Sequence, residues 1–304
     1  MFLQVSDGSR VSEYQYYEFL ALDRPLTAEQ QAEMRQLSTR ARITATSFTN
    51  EYHWGDFKGD PLKLVRGPYD AHLYYAVWGA RRLVLRLPAM AFDGVDLDAY
   101  AVVDAADIAT HRKYVIWDVS SEGKEEDWED DESFSLGVLS GLRGEMLAGD
   151  LRPLYLAWLA AVGVWERDED AFDYETDEHT IEPPVPPGLG SLTGPQVALA
   201  ELLRLDQDLL AEAATTSPPL GRTGPVEYRA WVKDLPDTVK VDALVALLDG
   251  DVGTAHAVLL ARHRGQLSGV GPGAAHDDEA RTIGGLLDQA AKRRAARVEA
   301  GAAE

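Results

Sequence analysis

Eight side chains able to hydrogen-bond, move protons or hold a metal crowd into residues 50–72: Asn50, Glu51, His53, Asp56, Lys58, Asp60, Asp70 and His72. If residues 43–54 form a strand, Glu51 and His53 share a face, because side chains alternate along a strand. Asp70 and His72 repeat that spacing at the start of a second strand. Were these strands paired, two imidazoles and two carboxylates would converge. That set suits a divalent ion such as Zn or Mn, and it makes Glu51, His53, Asp70 and His72 the best catalytic candidates. The plainer reading is that polar residues gather at strand ends, and that a histidine among aromatics satisfies a backbone group. On that reading the chain holds no metal and no cofactor.

Aromatic residues surround the same block, among them Tyr14, Tyr16, Tyr17, Tyr52, Trp54, Tyr74 and Tyr75, and Arg81, Arg82 and Arg86 follow. Sheet propensity and core packing account for most of the aromatics. An exposed subset, with Tyr52, Trp54, Arg82 and Arg86 as its best members, would form an interaction surface, since Tyr, Trp and Arg dominate binding hot spots. The same residue types would also stack a base and hold phosphates. The common local signatures are absent: no phosphate-binding G-x-x-x-x-G-K-[ST], no G-x-S-x-G and no H-E-x-x-H. His256 and His263 lie seven apart, too far along one helix to share an ion, and read as surface residues.

The elements that must position these residues follow from periodicity. YQYYEFLAL (14–22) reads as a first strand. Thr27-x-x-Gln30 is a capping box opening a helix to about Arg40. Residues 71–78 and 81–87 flank Gly79-Ala80 and read as a hairpin, with Leu83, Leu85 and Leu87 on a buried face and Arg82, Val84 and Arg86 on a basic one. Residues 100–104 and 112–119 are further strand candidates. From Ser133 the period becomes helical, with helices expected near 134–149 and 150–165. Thr193-x-x-Gln196 opens another, and shorter ones are expected at 206–214, 226–235, 238–249 and 252–264. A last helix at 277–299 carries a narrow apolar stripe, including Ile283, Leu286 and Leu287, with Lys292 to Arg297 at its basic end.

The fold class is therefore α+β: a mainly antiparallel sheet domain (12–132), bridging helices (133–165), an acidic and proline-rich linker (166–192), a helical domain (193–264), and a hinge with a C-terminal helix (265–304). Structure is expected from Glu13 onward, and Val11 is a candidate start.

The 304 residues carry 51 Asp+Glu against 29 Lys+Arg, a formal charge of -22. Most of it lies in 122–132 (EGKEEDWEDDE) and 166–182 (ERDEDAFDYETDEHTIE). An acidic surface repels phosphate, so neither nucleic acid nor an anionic membrane is an expected partner. There is no cysteine, which excludes disulfides and thiol catalysis and fits a reducing cytoplasm. MFLQVSDGSR is no secretory signal. The longest apolar run, Leu154 to Trp165, falls short of the roughly 20 residues that span a bilayer.

Two stretches, TSFTNEYHWGDFKGDP with DAHLYYAVWGARRLVLRLP, and EPPVPPGLGSLTGPQVALAELLRLDQDLLAEAA, resemble bacterial proteins that carry no assigned activity. The resemblance implies a bacterial, two-part protein and transfers no functional residue. The expectation is a non-enzymatic, cytoplasmic interaction protein, an adaptor or a subunit of a larger assembly, with a protein partner or self-association. The final helix, through Ile283, Leu286 and Leu287, is the expected docking element. The alternative is a metal-dependent or nucleotide-using enzyme with its site in residues 50–86.

Overall fold

The computed structural model describes residues 14–123, 134–164, 180–220, 228–250, 252–267 and 281–302. Both acidic runs fall largely outside these residues, as do Val11 and most of the expected hinge.

The protein is α+β. Seven strands form one antiparallel sheet: β1 (Gln15–Leu20), β2 (Arg42–Ile43), β3 (Ser47–Tyr52), β4 (Ala71–Ala76), β5 (Arg81–Pro88), β6 (Ala106–His111) and β7 (Tyr114–Ser121). Their spatial order is β2-β3-β1-β4-β5-β7-β6. β1 is thus central to its half of the sheet, with Phe19 opposite Phe48 on one side and His72 on the other. The β4–β5 hairpin turns at Gly79, whose φ of 93° favours glycine. A Cβ there would also come within 2.6 Å of the Gly123 backbone.

Both faces of the sheet are covered. On one face, α1 (Ala28–Leu37) and α2 (Pro61–Arg66) lie over Phe19, Phe48, Val84 and Ile116, contributing Met34, Leu64 and Val65. The capping box at Thr27 and Gln30 is formed, and Asp60 caps α2, which the glycine- and proline-rich sequence before it conceals. The second face, with Leu73, Leu83, Leu85, Leu87 and Trp117, meets α3 (Leu136–Leu139), α4 (Gly141–Leu147) and α5 (Arg152–Val162). Every residue of α5 is buried, so the longest apolar run of the sequence is the central helix of the protein. One expected helix at 134–149 is two, α3 and α4, meeting at Ser140.

The alternation in β5 needs a correction. Leu83, Leu85 and Leu87 are buried as expected, but Val84 and Arg86 are buried too and Arg82 is half-buried. α1 and α2 cover what the pattern alone presents as a basic outer face. The strand expected at 100–104 is a short 3-10 turn at Asp98–Tyr100, and the true strand is β6.

The core does not stop at the sheet. The cluster that holds Leu85 and Trp117 runs on through α5 into Leu189, α6 (Gly194–Leu202), α7 (Gln207–Ala213) and α11 (Ile283–Ala302). Residues 180–192, the end of the expected linker, are built into it. The Tyr100 hydroxyl donates to the Pro184 carbonyl at 2.9 Å, and Arg152 donates to the carbonyls of Gly188 and Ser191. Outside lie α8 (Tyr228–Asp234), α9 (Asp237–Leu248) and α10 (Val252–Leu267). α10 packs towards α4 and β5, and α9 packs on α10.

Candidate functional site

Glu51 and His53 do not meet Asp70 and His72. β3 and β4 are not neighbours, because β1 runs between them. Glu51 pairs with Tyr16, whereas His72 pairs with Phe19, three residues along the same strand and hence on the opposite face. His53 lies past the end of β3, exposed, with its ring 5.4 Å from that of Tyr14. The expected convergence would have required β3 and β4 to be adjacent. Among the described residues no group of three or more His, Asp or Glu is placed to hold a metal ion.

His72 is fully buried, stacked on Phe19 with ring centroids 4.1 Å apart. Its Nδ1 lies 3.0 Å from the Glu18 carbonyl oxygen. A carbonyl only accepts, so Nδ1 carries the proton and Nε2 is the bare nitrogen. Among the described residues no partner reaches Nε2. Burial pushes the imidazole pKa down to about 3, against the smaller upward pull of its bond to Glu18. It is a neutral core residue at physiological pH.

Asp70 is buried and takes the backbone N–H groups of Leu22 at 2.6 Å and Asp23 at 2.9 Å. Arg86 donates to Asp70 Oδ1 through both Nε and Nη2, and to the Gly67 carbonyl at 2.8 Å. Its guanidinium also lies 4.7 Å from the centre of the Tyr114 ring. A second buried pair adjoins this one: Arg143 donates to Asp23 at 2.8 Å and to the Arg86 carbonyl at 2.9 Å. Burial pushes the Asp23 carboxyl up, opposed by Arg143 and reinforced by Asp70. These four charges tie β4, β5 and α4 to the segment after β1.

The arginines expected to hold phosphates are therefore occupied. Arg82 donates to Asp118 through two nitrogens, with Nε at 2.7 Å. Arg81 is buried and donates to the Glu201 carbonyl at 3.0 Å, at the C-terminal end of α6 where carbonyls lack helical partners. A hollow of about 360 Å³ beside them is lined by Asp104, Asp107, Asp118 and Glu122, which would repel a phosphate. A second hollow, of about 190 Å³, lies over the Asp70–Arg86 pair and is edged by Arg24, Thr27 and Tyr114.

Of the expected interaction residues, Trp54 is 72% exposed and Tyr52 is half-buried, edge-on to Tyr17. Arg82 and Arg86 are held by the pairs just described. Ile283, Leu286 and Leu287 are corrected outright: all three are buried in the protein's own core. α11 lies along α7, and its basic end meets acids there: Arg293 with Glu212 at 3.1 Å, Arg294 with Asp206 at 3.1 Å and Arg297 with Asp208 at 2.8 Å.

The exposed apolar surface is elsewhere, on α9. Val241 is 56% exposed, Leu244 59%, Val245 48% and Leu248 87%. Their spacing of i, i+3, i+4 and i+7 puts them in one row on the helix, while Val239 and Ala243 face inward. The sequence does not single out this row because α9 carries apolar residues on its inner side too, and its charged residues lie along the flanks rather than opposite the core. The signal was present as two interleaved apolar sets, one more than a single buried face needs.

No described helix is long and apolar enough to cross a membrane. No family model, curated protein or solved structure matches the chain, so the roles of these residues are argued from their placement alone.

Proposed function

We propose that the protein is a non-enzymatic interaction protein, an adaptor or subunit of a larger assembly in the cytoplasm, and that the outer face of α9 is its contact surface. The observation that carries this reading is the row of Val241, Leu244, Val245 and Leu248, left in solvent on one face of α9. Apolar side chains set together on a surface mark interaction sites far more often than scattered ones do. The separation of Glu51 and His53 from Asp70 and His72 weighs against the metal-dependent alternative. The internal pairing of Arg82 and Arg86 weighs against the nucleotide-using one.

The test compares the full chain with a Leu244→Asp, Leu248→Asp variant, each immobilised and exposed to extract. The expected result is a protein captured by the wild type, absent from the variant, and bound again when purified and returned to the wild type. Identical captures on both surfaces would refute the reading.

A further inference from the structure

We infer that the α9 face takes an amphipathic helix of another protein, one with an apolar stripe flanked by lysine or arginine. The inference rests on the proposed contact role of α9 and adds the chemistry of the partner. Asp242 and Asp249 follow Val241 and Leu248 by one residue each and are seven apart, so they lie on one flank of the apolar row. Both are exposed, and no described residue forms an ion pair with either, although the Arg24 stem lies against Gly250 beside Asp249. The lysine on α9, Lys240, is engaged on the opposite flank with Asp237 at 3.2 Å and the Lys233 carbonyl at 2.9 Å.

The chain itself contains the complementary case. α7 presents Leu209 and Ala213 with Asp206, Asp208 and Glu212 around them, and the helix seated there, α11, is apolar on the facing side and arginine-rich on its flanks. α9 offers a similar combination, an apolar row with acids along one flank, and no described helix is seated on that row. A second copy of the chain fits less well. An antiparallel two-fold pairing sets each flank against its own equivalent, which brings Asp242 and Asp249 up to the same acids of the copy, and a parallel one sets them against the flank of Lys240, already engaged with Asp237, in both cases between molecules of charge -22.

The probe is a fluorescein-labelled peptide of about 14 residues, long enough for an induced helix, with leucine at i, i+3, i+4 and i+7 and lysine on the flanks. A twin carries glutamate in place of lysine. Anisotropy is measured with the full chain near physiological salt, where long-range attraction is screened. The lysine peptide is expected to saturate at one per chain and the glutamate twin not to bind. Leu244→Asp should weaken binding by about tenfold or more, as should Asp242→Asn with Asp249→Asn, a loss on the scale of 1.4 kcal/mol per decade. Asp107→Asn, on the far edge of the sheet, should leave it unchanged. Because Leu244→Asp alters a core-adjacent helix, the Asp→Asn pair serves as the variant that spares the apolar row.

Equal binding by all three variants would overturn the inference, since it would reflect general attraction to an acidic protein. So would sedimentation showing a wild-type dimer that Leu244→Asp dissociates. If extract capture depends on Leu244 while the peptide fails to bind, the partner chemistry is wrong and the contact surface stands; if both fail, the reading of α9 falls with it.

Discussion

Lowering the pH should destabilise this protein through one residue, His72. The unfolded chain protonates its histidine near pH 6.5, whereas burial holds the folded imidazole at about 3. Between those values the unfolded state binds more protons, so stability falls as pH falls. The whole interval, about 3.5 pH units, corresponds to roughly 5 kcal/mol at about 1.4 kcal/mol per unit. Below about pH 5 carboxylates titrate as well, so the useful window is pH 7 to 5, where the His72 contribution amounts to about 2 kcal/mol. His72→Phe supplies the control. A phenyl ring suits the stack on Phe19, and the variant loses the bond to the Glu18 carbonyl, a constant cost of about 1 kcal/mol that does not vary over this window. Urea unfolding followed by tryptophan fluorescence at pH 7, 6 and 5 gives both stability curves. The wild type should lose about 2 kcal/mol more than the variant between pH 7 and 5. Parallel curves would show that His72 reaches solvent or an acceptor for its second ring N–H in the folded state, and the assignment of a neutral, Nδ1-protonated ring would be wrong.

Two other outcomes follow from the buried contacts. Arg86→Ala removes the counter-charge of Asp70, a carboxylate 1% exposed, and should cost about 3–5 kcal/mol, because a charge left unpaired in the interior is the expensive state; Asp70→Ala should cost a similar amount, and a double-mutant cycle on urea midpoints should show the two losses to be far from additive. A protease site engineered between Val164 and Thr180, once cut, should leave one particle on gel filtration that unfolds in a single transition, since the core crosses from Trp117 through α5 to Leu209 and Ile283; two separately folded fragments would restore the linker reading of 166–192.

Local chemistry was legible along much of the chain. Thr27 with Gln30 and Thr193 with Gln196 each close a capping box, because the reciprocal bonds involve residues three apart and need nothing distant. The β4–β5 hairpin follows for the same reason, its turn being set by Gly79. What the periodicity could not supply was strand order. A chain that places β1 between β3 and β4 does so through pairings such as Phe19 with His72, more than fifty residues apart in sequence by number, and nothing near either residue announces the partner. The metal reading of Glu51, His53, Asp70 and His72 depended on that order and fell with it. β6 was also concealed: Ala106–His111 is an edge strand with most of its residues partly or fully exposed, so it shows little apolar alternation.

The two helices with exchanged fates, α9 and α11, show where amphipathic patterning stops short. α11 has the narrow stripe and basic flank of a docking helix, and it does dock, on this chain's own α7. The deciding feature lies seventy to ninety residues earlier, in Asp206, Asp208 and Glu212, whose carboxylates meet Arg294, Arg297 and Arg293. α9 is apolar on more than one side. α10 packs on α9, Val239 and Ala243 are buried, and the row of Val241, Leu244, Val245 and Leu248 is left outward. Burial of a helix therefore depends on how much complementary surface the rest of the chain offers, a quantity that belongs to the assembled fold. On the reading proposed above, an apolar row in excess of that surface finds its complement on another molecule, and the acids beside it, Asp242 and Asp249, set the sign of the charge that complement would carry.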